Sequence, residues 1–194
     1  MKLIAVTGSI GCGKTTIAGI IRKQGYAVFD VDAWVRRMYF NKDFIKKISE
    51  IFPKVYINGA IDKRKLRSIV FNDNAKLKIL ESLTHPFLIN YFKEVIHKNS
   101  RKNYCFFVDI ALLYELKMEK YFDLVVVADV DYEIQKQRVM ARDKVNSDDF
   151  EAINAKQMKN SMKVELADIV INTGKPLNLL KTDVLEMIKY VEGL

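Results

Sequence analysis

An α/β fold is predicted for this sequence: a parallel sheet of about five strands flanked by helices, with a helical insertion and a lid. Three observations predict it. Short runs that are apolar on both faces recur along the chain, as in strands buried inside a parallel sheet. Stretches between them carry apolar residues at helical spacing. The first run is followed at once by Gly8-Ser9-Ile10-Gly11-Cys12-Gly13-Lys14-Thr15, a complete G-x-x-x-x-G-K-[ST] phosphate loop between a strand and a helix.

Taken in order, residues 3–6 form the first strand, and the loop comes next. Its glycines let backbone N–H groups close around phosphate oxygens, Lys14 supplies a point charge, and Thr15 offers its hydroxyl to magnesium. A purely structural glycine turn would need neither Lys14 nor Thr15. Ile17, Ile20 and Ile21 mark a helix that stops at Gly25, and residues 26–29 read as a second strand ending in Asp30. Further strands are predicted at 104–108, 124–128 and 169–171. Residues 36–102 show helical patterns: Phe44, Ile48, Ile51 and Phe52, then Leu66, Ile69 and Val70, then Phe87, Tyr91, Phe92, Val95 and Ile96. This is more chain than a crossover requires, so a substrate-holding insertion is expected there. Residues 131–163 are polar and are expected to form a lid, leaving 1–35, 103–130 and 164–194 as the core of a single domain.

The chain has 194 residues, 49% of them hydrophobic, enough for one filled core. Its two cysteines, Cys12 and Cys105, fit a reducing compartment and a cytoplasmic location. No stretch is apolar enough to span a bilayer, and no leader is expected before Met1. The net charge of +8 is concentrated: residues 36–102 hold 16 Lys and Arg against 6 Asp and Glu, leaving 16 against 18 in the rest. Such a segment suits nucleic acid, an anionic membrane, a phosphorylated small substrate or plain solvation.

Asp30 and Asp32 project from the carboxyl end of the second strand, where open α/β folds bind ligands. Asp32 could accept a proton from an attacking hydroxyl or cap the helix that follows, and a cap would also aim the side chain. Arg36, four residues on, suits either an ion pair or a phosphate. Asp109 closes an apolar strand, the usual form of the magnesium-side carboxylate in phosphate-loop enzymes. Gln135, Arg138 and Arg142 share one helix face, and neither arginine has an acidic residue three or four positions away, as in a lid that clamps a phosphoryl group. His85 precedes Pro86, where a helix break is expected. No cysteine or acidic cluster has zinc-site spacing.

These residues together resemble the dephospho-coenzyme A kinases over nearly the whole chain. The family's T-G-G-I-G-S-G-K-[ST] is similar to residues 7–15, and its D-A-D-x-x-x-R to Asp30-Val31-Asp32 with Arg36. Its G-x-[LI]-D-R-x-x-L is similar to residues 59–66, its L-x-x-[IL]-x-H-P ends at His85-Pro86, and its Q-x-x-R-x-x-x-R-D matches Gln135, Arg138, Arg142 and Asp143. The resemblance implies a P-loop kinase fold and transfer of the terminal phosphoryl group of ATP to the ribose 3′-hydroxyl of dephospho-coenzyme A. Asp32 is then the general base, with Lys14, Arg138 and Arg142 stabilising charge. Gly8, Gly11, Cys12, Gly13, Lys14, Thr15, Thr16 and Asn172 hold ATP. Thr15 and Asp109 hold magnesium, and Asp30, Arg36, Arg64, His85, Asp109 and Leu112 face the acceptor. A monomer or weak homo-oligomer is expected, using neither nucleic acid nor membrane.

Three departures from the family pattern stand out. Ala111 replaces the proline of P-L-L-[FV]-E, Lys63 replaces an arginine, and residues 167–174 are one shorter than A-D-x-V-I-D-N-x-G. The nearest alternative is another small-molecule P-loop kinase. A nucleic-acid ATPase has no recognised motif here, and Asn41-Lys42-Asp43 has the wrong spacing for a guanine signature.

Overall fold

The computed structural model describes residues 2–71, 73–99 and 105–194. In chain order the elements are β1 (Lys2–Thr7), α1 (Lys14–Lys23), β2 (Val28–Asp30), α2 (Val31–Met38), α3 (Lys42–Ile51), β3 (Tyr56–Ile57), β4 (Ala60–Ile61), α4 (Lys63–Phe71) and α5 (Asn74–Asn99). They continue with β5 (Cys105–Asp109), β6 (Leu124–Asp129), α6 (Tyr132–Asp143), α7 (Ser147–Asn154), α8 (Asn160–Glu165), β7 (Ile169–Asn172) and α9 (Leu177–Gly193). Tyr104, expected to open the third sheet strand, lies outside the described residues, as do positions 102–103 at the expected insertion boundary and the side chains of Val95 and Ile96. Among the described residues no helix is long and apolar enough to cross a membrane.

The chain divides into two compact units, one of Met1–Asp32 with Lys102–Leu194, the other of Ala33–Arg101. The first is built on a five-stranded sheet of order β2-β5-β1-β6-β7 in which every pairing is parallel. Ile4, Val6, Phe107, Val126, Ala128 and Ile171 pack from one face of this sheet against Ile17 and Ile21 of α1 and Val184, Ile188 and Val191 of α9. The alternate residues Ala5, Val108, Val125 and Val127 are buried as well, which is why these strands read as unbroken apolar runs. The edges behave differently. β2 is only three residues long and half-buried, and Val170 of β7 is 45% exposed, since an edge strand has a neighbour on one side only. Tyr26 falls outside β2 and sets its ring edge-on against Phe107 at 5.8 Å.

Helix α1 ends as its sequence requires. Gly25 takes a φ of 88°, its N–H donates to the Arg22 carbonyl at 3.0 Å, and the Tyr26 N–H reaches back to Ile21 at 3.4 Å, a double bond pattern that closes the last turn.

The second unit has its own core of Met38, Phe44, Ile48, Phe52, Val55, Ile61, Leu66 and Val70, with Trp34, Tyr39 and Phe87 packed against it. Its hairpin β3–β4 turns on Asn58 and Gly59, whose φ values of 48° and 83° are those of the tight turn that Asn-Gly favours. The expected break at His85-Pro86 does not occur: α5 runs through Pro86. Proline costs that helix the bond to the Ser82 carbonyl. The helix persists because Leu80, Leu83 and Phe87 pack on the core across the defect and Leu88 and Phe92 are buried beyond it.

Candidate active site

β1 lies between β5 and β6, so strand order reverses beside it, and the crevice at the carboxyl ends of such strands is where open α/β sheets take ligands. The phosphate loop leaves β1 there. Gly8 opens it against the Ala128 carbonyl. Gly11 and Gly13 have φ of 79° and 88°, and an added Cβ would come within 2.6 Å of Val139 and 2.7 Å of the Thr173 hydroxyl, so both backbone angle and space demand glycine.

Side chains from far along the chain hold the loop's first half. The Ser9 N–H donates to Asn160 Oδ1 at 2.9 Å, the Ile10 N–H to Gln157 Oε1 at 2.8 Å, and Gln135 Nε2 to the Ile10 carbonyl at 2.7 Å. The Ser9 hydroxyl donates to the Met158 carbonyl at 3.1 Å. In contrast, the amides of Gly11, Gly13, Lys14 and Thr15 donate to no group among the described residues. Four N–H groups without a protein partner, at and just before the start of α1 and with that of Lys14 among them, are what an anion cradle requires.

Cys12 does not join it. Its side chain is fully buried in the core, its N–H donates to the Ser9 carbonyl at 3.2 Å, and its carbonyl accepts from the Thr173 hydroxyl at 2.8 Å. Burial pushes the thiol up to about 11 against the lowering influence of Lys14. Cys12 therefore supports the loop from behind. Thr15 and Thr16 are exposed on the first turn of α1.

Three carboxylates meet at the same sheet end. Asp30 of β2 stands in register with Asp109 of β5, which pairs in turn with Val6 of β1. Asp32 lies in the first turn of α2, and since that helix already begins at Val31, Asp32 is not its cap. Burial pushes the Asp109 carboxyl up to about 6; the Lys14 charge opposes this, while Asp30 and Asp32 reinforce it. A carboxyl whose folded pKa is raised stabilises the fold only while protonated, so this contribution is full below pH 4 and is lost as pH rises through about 6. Asp109→Asn is accordingly expected to raise the melting temperature by a few degrees at pH 7.5 and by much less at pH 4.5. Equal shifts at both pH values, measured by calorimetry, would refute this origin of the cost.

Helix α6 brings Arg138 to the loop, where its Nη1 donates to the Thr173 hydroxyl at 3.0 Å and its Nη2 to the Thr173 carbonyl at 2.9 Å. Arg142 instead grips Asp143 with two bonds of 2.8 Å. The absence of acidic residues at helical spacing thus did not leave these arginines unpaired: one found a threonine, the other its immediate neighbour. Asn172 ends β7 and accepts the Gly174 N–H at 2.8 Å. Leu112 and Arg64 are exposed, as is Arg36, whose carbonyl accepts from Lys63 Nζ at 3.4 Å. His85 carries a buried Nε2 with no hydrogen-bond partner among the described residues.

The family model of the dephospho-CoA kinases matches residues 2–177. The chain is 40% identical to the dephospho-CoA kinase of Bartonella quintana over 97% of both chains. The chain belongs to the dephospho-CoA kinase family. Among solved structures it is similar to TT1252 of Thermus thermophilus, with a TM-score of 0.85 and 30% identity over 97% of both chains. It is also similar to the dephospho-CoA kinase of Campylobacter jejuni, with a TM-score of 0.74 and 25% identity over 98% of this chain and 97% of that one.

Against the dephospho-CoA kinase pattern, two of the three departures become intelligible. At Ala111 only the carbonyl is used, accepting Lys163 Nζ at 2.8 Å and the Thr7 hydroxyl at 3.4 Å, and a proline would present the same oxygen. Lys63 lies 4.8 Å from the centre of the Tyr39 ring and 5.3 Å from that of Phe40, a cation–π contact that needs no guanidinium fork. The residues that sequence reasoning missed are Gln157, Asn160, Thr173 and the pair Glu115–Lys163. Each acts across more than 40 positions of chain; Glu115 and Thr173 lie inside two of the motif segments quoted above but received no role from them, while Gln157, Asn160 and Lys163 sit in none.

Proposed function

We propose that this chain transfers the γ-phosphoryl group of ATP to the ribose 3′-hydroxyl of dephospho-coenzyme A, giving coenzyme A and ADP. One observation carries the reading: four amides beside Lys14 open at the sheet end where Asp30, Asp32 and Asp109 gather. Family membership supports the acceptor.

In this reading the loop from Gly8 to Thr16 seats the ATP phosphates, with Gly11, Gly13, Lys14 and Thr15 supplying the N–H donors. Asp32 takes the proton of the 3′-hydroxyl as its oxygen bonds to the γ-phosphorus and the bond to the β,γ-bridging oxygen breaks, ADP leaving with that electron pair. Lys14 and Arg138 stabilise charge on the transferring oxygens, and Arg142 joins them by exchanging Asp143 for phosphate. Asn172 is assigned to the adenine side. Asp30, Arg36, Arg64, His85 and Leu112 are assigned to the acceptor, and the unpartnered His85 Nε2 suits a polar substrate atom.

Thr15 and Asp109 fit magnesium. One hydroxyl and one carboxylate suit an ion that keeps its waters and binds mainly through substrate phosphates. When bound, magnesium supplies charge neutralisation at those phosphates. We assign residues 36–102 to acceptor binding and 131–163 to a lid, in a cytoplasmic monomer or weak homo-oligomer that uses neither nucleic acid nor membrane. ADP release against a panel of acceptors tests the proposal: turnover is expected with dephospho-coenzyme A, with new phosphate on the 3′-oxygen. Preferential turnover of a nucleoside or nucleoside monophosphate would overturn it.

A further inference from the structure

We infer that Thr173 is a positioning residue for ATP, aiming one amide of the phosphate cradle and seating Arg138 beside it; the inference rests on the kinase reading above. Thr173 follows β7 and is buried, with its N–H held by the Asp129 carbonyl at 2.8 Å. A hydroxyl has one proton to give, and this one gives it to the Cys12 carbonyl at 2.8 Å. Its oxygen is thereby left to accept, and it accepts Arg138 Nη1 at 3.0 Å, while the carbonyl of the same residue takes Nη2 at 2.9 Å. A single hydroxyl therefore stands in series between the arginine and the loop.

The geometry of the peptide bond gives this link its consequence. In a planar trans peptide the C=O of one residue and the N–H of the next point in opposite directions. Tying the Cys12 carbonyl to Thr173 therefore turns the Gly13 N–H, one of the four donors, toward the cradle. The Thr173 side chain also fills the space beside Gly13: a Cβ there would meet Oγ1 at 2.7 Å, Cβ at 2.9 Å and Cγ2 at 3.0 Å. The hydroxyl orients the peptide, the carbon atoms stop it from flipping, and Arg138 is docked by the same residue.

Shape and hydrogen bonding separate cleanly at this position. Thr173→Val keeps the volume and removes the hydroxyl, Thr173→Ser keeps the hydroxyl, and Thr173→Ala makes no steric demand should the valine variant fold poorly. In the full chain, Thr173→Val and Thr173→Ala are expected to raise KM for ATP about 10-fold, with a matching loss of ATP affinity by calorimetry. KM for dephospho-coenzyme A is expected to stay within about twofold, and Thr173→Ser to restore ATP binding to within about threefold. ATP binding at the wild-type level in a folded valine or alanine variant overturns the inference, as does a serine variant as weak as the valine one. Wild-type protein that binds ATP without phosphorylating dephospho-coenzyme A would instead overturn the functional reading, while the calorimetric comparison would still decide the role of Thr173.

Discussion

Asp32→Asn is expected to lower turnover by about 10²–10⁴-fold while leaving ATP binding nearly intact. The substitution preserves size and removes the one property the proposal needs, a basic oxygen able to take the acceptor's proton. Asp32 is exposed in the first turn of α2, so melting temperatures of the two proteins check that the variant stays folded. The negative charge of Asp32 also helps to raise Asp109, so its loss moves the Asp109 carboxyl back toward the ordinary range. Single-turnover rates at saturating ATP separate the chemical step from binding. A rate close to that of the wild type would remove Asp32 from the base role and leave positioning and charge stabilisation to account for the reaction.

Glu115→Gln carries the largest expected cost in stability, about 3 kcal/mol, which for a chain of this size is a fall of roughly 6–12 °C in melting temperature. Lys163 is fully buried, and its ammonium has two partners, Glu115 Oε1 at 2.9 Å and the Ala111 carbonyl at 2.8 Å. Removing the carboxylate charge leaves a buried cation facing only dipoles. The Met158 N–H, which donates to the same Oε1 at 2.8 Å, keeps an acceptor in glutamine, so the loss reports the charge and not that bond. Burial already holds the Lys163 pKa below its ordinary value. A base with a depressed folded pKa binds fewer protons folded than unfolded, so the variant's deficit is expected to shrink as pH rises toward 10. Glu115→Gln combined with Lys163→Met is expected to recover most of the loss, because the unpaired charge is gone. Chemical denaturation at pH 7 and 9.5 measures both effects, and a deficit independent of pH would place its origin elsewhere.

Local signals made the sheet legible. Residues 3–6, 124–128 and 169–171 fall inside observed strands because strands buried on both faces write themselves as apolar runs, and Gly25 marks the end of α1 through its φ. The Asn58-Gly59 hairpin carried an equally local signal that the motif-based reading passed over. Pro86 misled because a local cost was outweighed by packing that no window of sequence displays. At the site, the phosphate loop could be read residue by residue. The inward turn of Cys12 could not, since a side chain's direction inside the loop depends on what β7 and α9 place behind it. Likewise Gln157 and Asn160 look like ordinary surface residues until the fold delivers them to Ser9 and Ile10.

That long-range bracing has a bearing on biosynthesis. The loop's residues are made well before the groups that brace it, which follow some 150 positions later. At about 5–20 residues per second, the nascent β1–α1 segment waits on the order of 10–30 s before Gln157, Asn160 and Thr173 arrive. Until those residues emerge the loop lacks its braces, so stabilisation of the nascent chain by a bound nucleotide is expected only after Thr173 has been made.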